Sequence, residues 1–368
     1  MALTPSWFLA DFQSGVLYGE VLRLENVRLT SSLEPGEFSA DLDVRQFGEL
    51  GTAWRVMDLL RDGKCTLVPI LEGTTRGPDK PPTSTPLGEW WISDIVDSPP
   101  SPIVRISGPE FAGYYKHVLA VEDARAERIN AMVAVREQLE AANSTGQNIV
   151  MDIGDARDEE AVALDIVAGS TTVWDGIEEA ALASGFQWRI DTGLEMEGWS
   201  PRQVTRRLNI GKPRLRREMR DIPLEISGPG APATAVTTFT RTTRESANAT
   251  GVSGWGAGSG KDQVAASTSR ERRGAEPVKT RVLADPGAMT VAQLQQRVNG
   301  ALREFSPQER AFTARFHAWF HIPRVGAAYS FYSDPQWTRP AASGDVYSVG
   351  WTWRSDAPEF YDLDLVEG

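Results

Sequence analysis

The sequence predicts a mainly β protein with α+β elements, in which two strand-rich regions flank an α/β middle. Three observations predict it. First, Phe38, Ala40, Leu42 and Val44 alternate with Ser39, Asp41, Asp43 and Arg45, the period-two pattern of a half-buried strand. Phe312, Ala314, Phe316, Ala318 and Phe320 alternate in the same way with Thr313, Arg315, His317, Trp319 and His321. Second, two stretches with helical spacing fall between 121 and 184, in the middle of the chain. Third, short strands punctuated by Gly/Pro turn signals recur at both ends, the pattern of small barrels and sandwiches.

Residues 1–112 form the first strand-rich segment. Glu34-Pro-Gly36 is a turn signal ahead of the Phe38 strand. A helix is expected over 52–61, with Trp54, Met57, Leu59 and Leu60 as its apolar residues and Gly63 at its C-terminal cap. The strand Cys65–Leu71 follows, and then a loop, Gly73–Gly88, in which Pro78, Pro81, Pro82 and Pro86 forbid regular structure. Glu89–Ile95 and Ile103–Ile106 read as further strands.

Residues 113–200 form the α/β middle segment. Ile129, Met132, Val133, Val135 and Leu139 predict a helix within 121–142. A second helix is predicted over 173–184: Thr172 and Asp175 have capping-box spacing, and Gly185 supplies the stop. Phe186–Ile190 reads as a strand. Residues 201–368 return to strands, with Thr234–Thr243 rich in Thr, Val and Phe. In the last strand Tyr347, Val349, Trp351 and Trp353 are expected on one face, opposite Ser348, Gly350, Thr352 and Arg354. A helix near 290–304 interrupts the strands; Thr290-Val-Ala-Gln293 caps it, and Leu294, Val298, Leu302 and Phe305 form its stripe. The Gly/Ser-rich stretch 251–276 reads as a mobile loop or a long hairpin tip.

Composition narrows the function classes. A formal net charge of -12 argues against non-specific nucleic-acid binding, which needs a basic surface. Cys65 is the single cysteine, so no intrachain disulfide and no cysteine-based zinc site is expected. The N-terminus lacks a signal-peptide pattern and no run is long enough to span a bilayer, so a soluble protein made in a cytoplasm is expected.

Each catalytic constellation fails on a named residue. His317 and His321 have the zinc spacing of a helix, but Ala318 stands where a metalloprotease needs Glu, and the flanking alternation is that of a strand. His117 is isolated in the sequence. Asp152, Asp155, Asp158, Glu159 and Glu160 could serve glycoside hydrolysis or calcium, yet they fit a solvated loop better and lack the EF-hand order. Gly254-Trp-Gly-Ala-Gly-Ser-Gly-Lys261 is not a phosphate loop, because Asp262 follows the lysine. No catalytic, cofactor-binding or metal residue is therefore assigned, and no cofactor is expected. The basic stretch Arg202, Arg206, Arg207, Lys212, Arg214, Arg216, Arg217 and Arg220 lacks interleaved aromatics for stacking bases. Arg206, Arg207, Arg214, Arg216 and Arg217 are instead candidates for an assembly interface, where Arg is favoured.

Three stretches carry a resemblance that spans nearly the whole chain. They are Glu34–Leu42 with the helix after it, Leu60–Val68 and Leu87–Asp94; then Asp175 to Ile190; then Asn248–Gly256 with the loop, capped helix and aromatic strand that follow. In order and spacing they resemble the central hub protein of phage baseplates and tail tips, in the form found in long-tailed phages of actinobacteria. The resemblance implies two β-barrel-like domains, 1–112 and 201–368, combined with an α/β middle domain, 113–200. It implies a homotrimer that closes the tail tube, with two barrels per subunit matching the sixfold tube ring or distal tail protein above. It also implies contacts with the tape-measure protein and with downstream tip or fibre proteins, at the tail tip of a virion. The chain ends at Gly368 just after its last strand, so a fibre or peptidoglycan-cleaving part is expected on a separate protein. The competing readings are a distal tail protein forming a hexameric ring, a cell-wall-degrading hydrolase using the Asp152–Glu160 cluster, and a glycan-binding tail protein using Trp90, Trp91 or Trp351.

Overall fold

The computed structural model describes residues 5–48, 50–71, 84–98, 101–145, 148–154, 161–198, 200–211, 215, 224–226, 236–243, 249–257, 263–271, 278–285, 290–305, 310–317, 323–333 and 343–367. The fold is mainly β, with four α-helices among the described residues: α1 (Leu50–Arg61), α2 (Ala131–Ser144), α3 (Val173–Ser184) and α4 (Val291–Phe305).

The first sheet centres on Ser6–Asp11, antiparallel to Leu17–Leu22 on one side and to Cys65–Leu71 on the other. Every residue of Cys65–Leu71 is buried, as in a strand covered on both faces. The largest sheet has ten strands. Its path runs from Val236–Thr243 through Arg310–His317, Phe360–Glu367, Ser343–Arg354, Leu24–Ser32, Glu37–Asp43 and Ile103–Pro109 to Asp94–Asp97. Ala328–Ser333 branches from Ser343–Arg354 and holds Leu224–Ile226 in parallel on its far side.

This sheet joins the two ends of the chain. Leu24–Ser32 pairs with Ser343–Arg354, so that Trp353 stands opposite Leu29. The core follows the sheet: Leu29, Phe38, Leu42 and Trp90 belong to the same apolar cluster as Phe312, Tyr329, Trp351 and Leu363. Trp351 meets Trp90 edge-on at 6.2 Å, and Trp353 lies 5.7 Å from Trp7. Strands from the segments 1–112 and 201–368 therefore meet in one shared sheet and one shared core, beside the smaller sheets that each segment builds for itself. Among the described residues no sheet closes into a barrel, although Leu224–Ile226 and Val236–Thr243, at opposite ends of an arc, run close together.

Three local expectations are corrected. The last strand does not keep one buried face. A bulge between Ser348 and Gly350 inserts a residue, and the inward set switches from Val346 and Ser348 to Trp351 and Trp353. The helix expected within 121–142 begins only at Ala131. Ala124–Asn130 is a strand paired with Ala161–Ile166, and the Asn130 side chain caps α2 by accepting from the Met132 and Val133 N–H groups, each at 3.1 Å. The stretch 251–276 contains two paired strands, Gly251–Ala257 and Gln263–Ser269, and Gly251–Ala257 is also joined in parallel by Thr280–Asp285. Gly254, in the first of these strands, serves packing. A Cβ at Gly254 would stand 2.6 Å from Val298 Cγ2, so the bare backbone lets α4 lie directly on the central strand.

α3 has the predicted bounds and caps. Thr172 Oγ1 accepts from Asp175 N at 3.0 Å, and Gly185 adopts φ 71°, ψ 42° at the stop. α3 packs between α2 and α4, and a Cβ at Gly300 of α4 would collide with the Leu182 carbonyl oxygen of α3. The Arg297–Glu179 ion pair, 2.7 Å, and the bond from Ala163 N to Gln296 Oε1, 2.7 Å, fix α4 against the middle segment.

Candidate assembly interface

The basic stretch is built on a long hairpin. Gln187–Glu197 and Ser200–Gly211 pair antiparallel over almost their full length, with one bulge near Met196. Alternation along the second strand sends Val204, Arg206 and Leu208 inward and Thr205 and Arg207 outward. Val204 packs with Phe8, Ala10, Val68 and Ile70 of the first sheet. Trp188, Ile190 and Leu208 join the core of the α/β middle segment. The hairpin thus ties the first sheet to the middle segment.

Arg206 is not available to a partner, which corrects its assignment to an interface. Its residue is 2% exposed, and its guanidinium donates from Nε to Glu89 Oε2 at 2.8 Å and from Nη2 to Glu89 Oε1 at 2.7 Å. Nη1 donates to the Gln13 carbonyl at 3.1 Å, and Cζ lies 4.1 Å from the centre of the Phe111 ring. The Thr66 hydroxyl donates to Glu89 Oε1 at 2.6 Å, so the carboxylate is held from two directions. Arg189, on the first strand of the hairpin, repeats the device. It donates to Glu110 Oε1 at 2.7 Å, the Ser32 carbonyl at 2.6 Å and the Ser31 hydroxyl at 2.8 Å, while Glu110 Oε2 accepts from Gly36 N at 2.9 Å. The sequence reading missed Glu89, Glu110 and Arg189. An arginine flanked at two-residue spacing by Val204 and Leu208 was the available sign that Arg206 points inward.

Arg207 does face solvent. Its side chain is 73% exposed and reaches Asp152 at 3.4 Å. Arg214, Arg216 and Arg217 lie outside the described residues. So do Asp155, Asp158, Glu159 and Glu160 of the acidic cluster, and His321. His317 ends a strand, and His117 sits on the surface with its ring 5.7 Å from Trp91. Among the described residues no three His, Cys, Asp or Glu side chains gather closely enough to hold a metal, and no helix is long and apolar enough to cross a membrane. The Cys65 thiol is buried and donates to the Leu59 carbonyl at 3.6 Å; burial, with the nearby Asp11 charge, pushes its pKa up to about 12. Trp90 and Trp351 are buried in the core, which removes them as an exposed glycan platform. Trp91 is partly buried against Phe12 and Tyr114.

Among the described residues, an apolar sheet face and a mixed, carboxylate-rimmed groove are open. Among the described residues, α4 covers one face of the sheet of Gly251–Ala257, Gln263–Ser269 and Thr280–Asp285 and nothing covers the other. Trp255, 46% exposed, and Val282, 73% exposed, belong to the other face. On the middle segment, Glu122, Glu137 and Glu140 rim an open groove of about 710 Å³ whose wall includes Ile149, Met151 and Ile153.

No protein-family model matches the sequence. No curated protein matches it either. Solved structures do match. The tail protein from Neisseria meningitidis MC58 superposes with a TM-score of 0.59 at 11% identity, covering 99% of this chain and 97% of that one. The 43 kDa tail protein of prophage MuSo2 from Shewanella oneidensis gives 0.54 at 9% identity, covering 98% of each chain. The prophage tail protein gp18 from Listeria monocytogenes EGD-e gives 0.52 at 10% identity, covering 99% of this chain and 94% of that one. From end to end, this chain has the fold of these phage tail proteins.

Proposed function

We propose that this protein is a structural part of a phage tail, working as the hub at the distal end of the tail tube and catalysing no reaction. The observation that carries the reading is the length of the match: 99% of this chain aligns with 97% of a tail protein, so the likeness is to a whole protein and not to a borrowed module. The site chemistry agrees with it. The buried ion pairs Arg206–Glu89 and Arg189–Glu110 are consumed inside the protein in holding the hairpin to the sheets. Three copies would form a closed ring, joined to the tube ring or distal tail protein on one side and to tape-measure and tip or fibre proteins on the other. The acidic balance of the chain, -12, suits a ring that DNA passes without adhering.

Tails purified from particles that encode this chain test the proposal. The intact chain should remain with tails through salt washing and be found by mass spectrometry. Its absence from washed tails would overturn the tail assignment. Clearing of a peptidoglycan zymogram by the purified chain would overturn the non-catalytic part.

A further inference from the structure

We infer that the groove beside α2 takes an extended, basic peptide segment of a partner protein, added as a strand to the free edge of residues 149–153. This surface is separate from the ring contacts proposed above and does not depend on them. The run is bracketed by Asn148 and Gly154, whose φ values are 47° and 67°. Exposure alternates within it: Ile149 is buried, Met151 and Ile153 are half-buried, and Val150 and Asp152 are exposed. One edge of the run is occupied. Val150 N donates to the Gln13 carbonyl at 3.1 Å, Asp152 N to the Arg206 carbonyl at 2.8 Å, and Leu208 N to the Asp152 carbonyl at 2.8 Å. The backbone groups of Met151 and Ile153 therefore point to the other edge. Among the described residues, the N–H and C=O of Met151 and of Ile153 have no backbone partner there. Ile149 N donates to the Asn143 carbonyl at 3.1 Å, so this edge starts at the end of α2.

The groove follows that edge. Its lining takes Ile149, Met151 and Ile153 from the run, without Val150 or Asp152, and Glu137, Glu140 and Ala141 from α2. A strand laid between an open edge and a helix gains main-chain bonds from the edge and places its alternate side chains against the walls. The rim sets the charge of the occupant. No Lys or Arg lines the groove. Arg136 reaches Glu140 at 2.7 Å from outside the lining, in a pair exposed on both sides. Glu122 and Glu137 are exposed and have no cation partner among the described residues. A segment that alternates basic and apolar residues fits both features: its apolar side chains meet Ala141 and the apolar wall, and its cations reach the rim.

Fluorescence anisotropy on the full chain tests the groove, with a labelled peptide alternating lysine and valine as the probe. The peptide should bind saturably. Its counterpart with glutamate for lysine should bind at least about tenfold more weakly, and E122K/E137K should lose the lysine peptide by the same factor, with unchanged circular dichroism. E195K/E197K makes the same charge change at the exposed end of the hairpin and should bind the lysine peptide as wild type does. N-methylation along one edge of the peptide blocks main-chain pairing and should weaken binding about tenfold. Hydrogen exchange at the Met151 and Ile153 amides should slow when the lysine peptide is bound. Absence of saturable binding, equal binding by wild type and E122K/E137K, or equal binding of the methylated and unmethylated peptides would each overturn the inference. Light scattering that shows a wild-type oligomer and a monomeric E122K/E137K would give the groove to a second copy and overturn it as well. None of these results bears on whether washed tails retain the chain, so the tail assignment stands or falls separately.

Discussion

Arg206 and Glu89 form a two-pronged ion pair sealed inside the protein, with side-chain exposures of 1% and 0%. They come from elements far apart in sequence, and each prong is under 3 Å. Such a pair adds little net stability over an apolar substitute, yet removing one partner strands a buried charge. Arg206→Ala should therefore destabilise by about 3–5 kcal/mol. The double replacement Arg206→Met with Glu89→Leu should recover most of that loss. Urea unfolding of the single and double variants checks both statements; equal loss in the two would show that the pair itself, not the orphaned charge, sets the stability.

Cys65 provides a second reporter. Its thiol is fully buried, and burial followed by the Asp11 charge raises its pKa to about 12, so almost no thiolate exists near neutral pH. Reaction with a thiol reagent should be negligible in the native protein and should rise along the same denaturant curve as tryptophan fluorescence. Rapid native labelling would contradict the placement of the Cys65–Leu71 strand.

The helix caps give a third test. Thr172→Ala removes the acceptor for Asp175 N and should cost about 1 kcal/mol, with Thr172→Ser close to neutral. Gly300→Ala acts through packing, because its methyl group meets the Leu182 carbonyl, and should cost about 1–3 kcal/mol by pushing α4 off α3. Thermal unfolding of the three variants orders them.

Acid should weaken the fold through Asp11. Burial opposes its charge, but bonds from Ser14 N and Ser14 Oγ, both 2.7 Å, and from Tyr18 Oη, 3.1 Å, outweigh that and hold its carboxyl below the ordinary carboxylate value. Its pKa is lower folded than unfolded, so its contribution is complete above the unfolded value and is lost as pH falls through the folded one. Asp11→Asn should flatten the loss of stability as pH falls below about 4, where wild type declines. Chemical unfolding across that range reads the slope, and identical slopes would remove Asp11 as a contributor.

Local signals were legible in the sequence where one short window contained the cause. Thr172, Asp175 and Gly185 bracket α3 as read, and Phe312 and Ala314 point inward as their alternation requires. Elsewhere a distant partner decides the local structure. The bulge after Ser348 exchanges the faces of the last strand, and nothing near it in the sequence marks the extra residue. The pairing of Leu24–Ser32 with Ser343–Arg354 joins ends of the chain that no periodicity could connect. Glu89 has the local pattern of an ordinary strand residue, and charge alone does not separate the buried Arg206 from the arginines that follow it. For the site, Arg207 lies on the surface beside Asp152, while the Trp255 face emerges only when three strands assemble.

Cryo-electron microscopy of intact tails tests the central claim most directly. The account predicts three copies of this chain in a closed ring at the distal end of the tube. Six copies around the tube, or density for this chain away from the tip, would contradict it.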